Sequence, residues 1–226
     1  TALGAALAAL PAKPENVTDA QLTAVATAQR ASREAWTAAD AGKLPSPNSI
    51  RQNDAVDPAP DLRTFIADIA ALRSWTGRMD SLVREANNGR GDLQSIFASV
   101  VACQMDPDTA ATKLDSIATN RQTVLDQIDS LNPPTPEATA ATDTFHTALQ
   151  HSHEADRYYA SWVRNQTDWY YTEPEGCVGG DMPSDDDKVA GDREGVSATA
   201  AKKRFVRQYN PFARRFDKKG WTETEI

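Results

Sequence analysis

The side chains here best suited to metal binding or proton transfer are three histidines, His146, His151 and His153. His146 and His153 are seven residues apart, which puts them on one helical face but ~10 Å apart along the axis. His151 and His153 point to nearly opposite sides. Ligands on one helix share an ion at i,i+3 or i,i+4, as His153 and Asp156 could, but two ligands need help from a second helix. Glu-x-x-His, the repeated signature of di-iron bundles, is absent. MPSDDDKVAGDRE gathers Asp185, Asp186, Asp187, Asp192 and Glu194 in a stretch that suits a hard cation. Lys188 and Val189 occupy positions where an EF-hand needs ligands, so a solvated acidic loop is expected. The sequence therefore predicts no metal and no cofactor. It has no Gly-rich phosphate loop, no GxSxG, no HExxH and no histidine spaced to activate a cysteine. Asp68, Asp80, Asp126 and Glu154 are carboxylates that separate helices could still bring together. A non-enzyme is the expectation.

Cys103 and Cys177 are the only cysteines, and neither belongs to a CxxC pair. An even, widely spaced pair predicts one disulfide in an oxidising compartment. Cys177 lies in EPEGCVGGDMP, a glycine- and proline-rich loop that such a bridge would pin.

Residues 151–171, HSHEADRYYASWVRNQTDWYY, concentrate aromatic side chains. Written in sevens, Ala141, Ala148, Ala155, Trp162 and Trp169 form one line, and Phe145, Ser152, Tyr159 and Gln166 the interleaved one. Small residues at one end and large ones at the other make a tapered helix seam. The gap opened near Trp162 is expected to be filled by core packing, for instance by Phe97. The other use is a ligand cavity among Phe97, Tyr159, Trp162 and Trp169. Tyr158 and Tyr171 fall off the seam.

The formal charge is −8, yet KKRFVRQYNPFARRFDKK, residues 202–219, carries eight basic side chains against Asp217 alone. Lys202, Lys203, Arg204, Arg207, Arg214 and Arg215 could contact an acidic partner or an anionic surface. Phe205, Val206, Tyr209, Phe212 and Phe216 form an apolar stripe, which predicts that this helix docks on its own bundle. The acidic remainder argues against nucleic acid.

Helix signals dominate the segments that carry these residues. Thr18-Asp19-Ala20-Gln21 has the form of a capping box opening a helix to about residue 41. A long apolar rhythm follows from Asp61 to about Asn87, then a shorter helix from Asp92 with Leu93, Ile96, Phe97 and Val100. Asp106-Pro107 and Thr135-Pro136-Glu137 each read as cap plus first-turn residue. The helix after Thr135 could reach Tyr170. Acidic loop is expected from Glu173 to Gly195, and a last helix over 197–216. The fold class is all-α: an antiparallel bundle of four to five helices, with a long Pro-rich connection after Lys43 and an acidic Gly-rich loop. The division expected is an apolar stub and linker over 1–17, a bundle over 18–196, and a basic amphipathic helix and tail over 197–226.

TALGAALAAL at the amino terminus is too short to span a bilayer. It reads as the tail of a signal peptide, the stub of a membrane anchor attached through preceding residues, or an ordinary Ala-rich helix. Arginine outnumbers lysine two to one and alanine is abundant. In that style the chain resembles small Ala-rich secreted or lipid-anchored helical proteins of GC-rich bacteria; the likeness implies a compartment and carries no functional residues. The functional expectation is an extracytoplasmic, non-catalytic helical bundle, secreted or anchored to the outer face of a membrane. It would act through protein contacts, as an accessory subunit or surface module. The alternative is a small-ligand sensor or carrier with an aromatic cavity. Partner identity and oligomeric state have no signal in the residues.

Overall fold

The computed structural model describes residues 2–11, 17–40, 59–87, 92–171, 177 and 179–226. Among them the chain is all helical, with no strand. The Pro-rich connection lies outside the described residues, as do the side chains of Trp36, Leu62, Phe65 and Ile66. Two compact units divide the chain, Thr1–Ala71 and Leu72–Ile226. No helix among the described residues is long and apolar enough to cross a membrane.

The first unit contains α1 (Ala2–Ala8), α2 (Asp19–Asp40) and the opening turns of α3 (Ala59–Asn87). The capping box forms as its residue types require. Thr18 Oγ1 accepts from the Gln21 amide at 3.2 Å, and Gln21 Oε1 accepts from the Thr18 amide at 2.9 Å. Gln21 Nε2 also donates to the Ala9 carbonyl at 3.0 Å, tying the start of α2 to the end of α1. Val17 and Val25 are buried here.

The second unit comprises the rest of α3 and α4 (Asp92–Val101), α5 (Pro107–Asp129), α6 (Pro136–Arg164), α7 (Thr167–Tyr170) and α8 (Asp186–Arg215). A short 3-10 turn, Glu223–Glu225, ends the chain. Cross-links fix the directions. Arg121 pairs with Asp156 and Arg164 with Asp115, so α5 and α6 run antiparallel. Ser161 donates to Asp187 and Phe145 stacks on Phe205, so α6 and α8 do as well.

One apolar cluster joins Leu72, Met79 and Val83 of α3 to Val124 and Ile128 of α5, Phe145 and Leu149 of α6, and Phe205 and Tyr209 of α8. Its polar atoms are satisfied. Trp75 Nε1 donates to Thr142 Oγ1 at 3.1 Å, and Tyr209 Oη to the Thr76 carbonyl at 3.1 Å. Trp221 Nε1 donates to Asp80 Oδ1 at 3.0 Å, which gives that buried carboxylate a partner beside Arg84. A second cluster joins Ile96 and Val100 of α4 to Leu114 and Ile117 of α5, Trp162 and Val163 of α6 and Tyr170 of α7.

Cys103 and Cys177 are joined by a disulfide. Cys103 has a left-handed φ of 59°, at the end of α4 where the amide of Gln104 reaches back to the Ser99 carbonyl. That is the C-terminal cap geometry glycine usually occupies. Across the bridge, Gly179 (φ 71°) approaches the Val101 carbonyl so closely that an added Cβ would meet it at 3.0 Å.

Two expected boundaries move. The helix expected to reach Tyr170 stops at Arg164, because the polar run Asn165-Gln166-Thr167 turns the chain; Gln166 folds its amide onto the Trp162 carbonyl at 3.1 Å. The acidic loop expected through Gly195 ends at Asp185, whose carboxylate accepts from the Lys188 amide and caps α8. Asp186 and Asp187 then occupy the first turn, where carboxylates complement the helix dipole. Charge clustering read as solvated loop is a helix start.

Candidate functional site

Where α6 leaves the first apolar cluster and enters the second, polar side chains join its inward face: Ser152, Asp156 and Tyr159. A buried ion pair crosses this band, Arg121 Nε of α5 donating to Asp156 Oδ2 of α6, with both side chains at most 4% exposed. Lys202 enters from α8 and is 5% exposed. Arg121, Asp156 and Lys202 line a single pocket of about 500 Å³, a size common for small-molecule sites.

The pocket has a depth gradient. Arg121, Ser152, Ala155, Asp156, Ala198 and Lys202 form a buried floor, and Gln94 and Thr199 stand at an exposed mouth. Asn87 and Leu93 contribute from the end of α3 and the start of α4, and Thr224 from the terminal turn. Small residues leave the space: Gly195 and Ala198 face the pocket from α8 where larger side chains would fill it.

Electrostatically the floor is strained. Burial pushes the Asp156 carboxyl above its ordinary range, and the charges of Arg121 and Lys202 pull it only part of the way back. Arg121 keeps one guanidinium nitrogen, Nη1, buried with no hydrogen-bond partner among the described residues. A buried charged donor without an acceptor is costly, and such groups cluster at binding and catalytic sites. Burial also raises the Tyr159 phenol, and its hydrogen bond to Asp192 Oδ1, 2.9 Å long, adds to this.

Of the ligand-binding and cationic residues expected from the sequence, Tyr159 and Lys202 reach this pocket; Asp156, named there beside His153, and the seam residues Ser152 and Ala155 line it too. Phe97, Tyr159 and Trp162 pack on one another edge to face, with Phe97 5.4 Å from each of the other two centroids. Trp162 is buried and donates its indole N–H to the Pro183 carbonyl at 2.8 Å. Trp169 meets Tyr170 instead. Lys202 departs from the cationic group in which it was placed. It turns inward, whereas Lys203, Arg204, Arg207 and Arg214 are exposed and Arg215 is half-buried.

No protein-family model, curated protein or solved structure matches this chain. The site must therefore be read from its own geometry. The histidines are dispersed: His151 pairs with Glu194 at 2.6 Å, His146 with Asp129 at 3.5 Å and His153 with Glu154 at 3.5 Å. Among the described residues no group of three or more His, Cys, Asp or Glu side chains could hold a metal ion. Asp68 and Asp126 are exposed and Asp80 is bound to Trp221, so the four carboxylates considered above are not gathered.

Arg121 is a site residue absent from the sequence expectations, and Asp156 entered them only as a possible ion ligand beside His153, not as the partner of an arginine. A signal existed for Asp156: it follows Ala155 on the seam of α6, one position away from the buried line. Nothing local marked Arg121, because its partner lies 35 residues away and the pairing depends on the register of two helices.

Proposed function

We propose that this chain is a non-catalytic, extracytoplasmic helical bundle that binds a small polar ligand in the pocket between α4, α5, α6 and α8. One observation carries the reading: a buried arginine lines a pocket of ligand size while its Nη1 has no acceptor among the described residues. A pocket existing only through loose packing would be apolar; this floor holds an ion pair and a second cation. The cavity is thus polar, where the sequence suggested an aromatic one. The disulfide supports the extracytoplasmic placement, since such bonds persist in oxidising compartments.

Thermal denaturation of the intact chain against a panel of polar metabolites tests the pocket. A ligand at one hundred times its Kd stabilises the folded state by about 2.7 kcal/mol. For a unit of this size that is a rise of about 5–10 °C in Tm. Native mass spectrometry of protein isolated from its own source is the companion measurement. An adduct-free mass together with a flat panel would remove the reading.

A second reading, action through protein contacts, draws on the cations that α8 leaves at the surface: Lys203, Arg204, Arg207 and Arg214. An acidic partner held there would be released as ionic strength rises. Binding indifferent to salt would place the contact elsewhere.

A further inference from the structure

One face of α8 is turned to the bundle and the opposite one is bare. Ala198, Ala201, Phe205, Tyr209 and Ala213 are buried against the neighbouring helices. At 3.6 residues per turn, Arg193, Lys203, Arg204, Arg207 and Arg214 fall within an arc of roughly 100° on the other side, and all five are exposed. Val189 and Val196 share that arc and are 51% and 72% exposed. From Val189 to Arg214 the face is roughly 38 Å long. Asp192 and Glu194 are the only carboxylates in this stretch, and both are turned to α6, where Asp192 accepts from Tyr159 and Glu194 pairs with His151. None of the five cations has an ion-pair partner among the described residues.

We propose that this face rests on an anionic phospholipid bilayer. The contact is independent of the pocket, and its occupant differs from the acidic protein of the second reading. Anionic headgroups set up a negative potential that fades within about a Debye length, roughly 8–10 Å. Because the cations lie on one side of one helix, all five enter that layer together. The two valines decide between occupants. Beside a soluble anion they stay in water, whereas on a bilayer their methyl groups reach the boundary between headgroups and acyl chains. A protein partner has to set carboxylates opposite five long side chains on a convex cylinder and hold each in one rotamer, which costs side-chain entropy. A fluid bilayer brings mobile headgroups to the charges wherever they lie. Phe205 and Tyr209 are already buried in the bundle, so α8 attaches flat, by charge, without inserting.

Co-sedimentation of the intact, disulfide-bonded chain with vesicles tests the contact, using phosphatidylglycerol mixed with phosphatidylcholine against phosphatidylcholine alone at about 0.1 M salt. The chain should pellet with the anionic vesicles and stay in solution with the neutral ones. Each cation at the surface is worth about fivefold in binding. Lys203→Gln with Arg207→Gln should therefore weaken binding about 25-fold. Lys113→Gln with Arg164→Gln removes the same charge from α5 and from the side of α6 that reaches Asp115, and should leave binding unchanged. All four positions are exposed, and far-ultraviolet dichroism should show both variants folded. Equal loss in the two pairs overturns the assignment to this face, as does equal binding to neutral vesicles or none to either kind. Poly-glutamate and a short DNA duplex, added at matched negative charge, should not displace the vesicles. Displacement by either overturns the lipid assignment; by poly-glutamate, it leaves the acidic-partner reading standing.

Discussion

At the start of α5 a single carboxylate takes up one free backbone amide and the hydroxyl of the same residue. Asp106 accepts from the Thr109 amide at 2.9 Å and from its hydroxyl at 2.7 Å, and these bonds hold its carboxyl below the ordinary range. The sign follows: a depressed value means that the folded state favours the charged form. The contribution is present above the unfolded value and is lost as pH falls through the folded one. Asp106→Asn caps without titrating. The Tm gap between wild type and Asp106→Asn should therefore change between about pH 5 and pH 2 and stay flat above, once the other carboxylates have cancelled in the comparison. A gap that is constant over that range would mean the carboxylate is not the capping group. This residue was legible in the sequence because its whole environment is four residues long. Arg121 was not. Its burial is decided by Asp156 and by how α5 lies on α6, so the site stayed hidden while the cap at the start of the same helix was plain.

Individual helices were legible wherever their ends carry local chemistry, as at Thr18, Asp106 and Thr135. The start of α8 was misread because two glycines and five carboxylates resemble a loop. Gly191 and Gly195 lie instead on the α8 face turned to Tyr159. A Cβ on Gly191 would stand 2.7 Å from Tyr159 Cε1, so the ring of α6 occupies the room that the missing side chain leaves. Gly77, inside α3, has nothing within 4 Å of its would-be Cβ. The same substitution should therefore act oppositely at the two sites. Gly77→Ala gains helix propensity, about 0.5–1 kcal/mol. Gly191→Ala makes that gain too but pays about 1–3 kcal/mol for overpacking, a net loss on the order of 1 kcal/mol, with Tyr159 displaced from the pocket wall. Chemical denaturation of both variants reads this directly, and equal gains would show that Tyr159 yields freely.

Across the Leu72–Ile226 unit the question is what keeps the second apolar cluster closed. Its core is smaller than the first, and α7 is only four residues long, too short to hold itself. The disulfide joins the end of α4 to the segment after α7 and closes a loop of sequence separation 74 around α5, α6 and α7. The composition announced the bridge but not its task, since the helices it encloses become neighbours only once α6 has turned at Asn165. A loop of that length removes about 4 kcal/mol worth of unfolded-chain entropy. For a unit of this size that corresponds to a fall of about 8–16 °C in Tm on reduction. Near-ultraviolet dichroism separates the two clusters, because Trp162 and Tyr170 belong to one while Trp75, Tyr209 and Trp221 belong to the other. With the chain reduced and warmed, the signal lost first should be that of Trp162, followed in a variant whose other tryptophans are replaced by phenylalanine. A change in Tm below about 3 °C on reduction would mean that helix packing alone closes the cluster, with the disulfide a passive marker of its compartment.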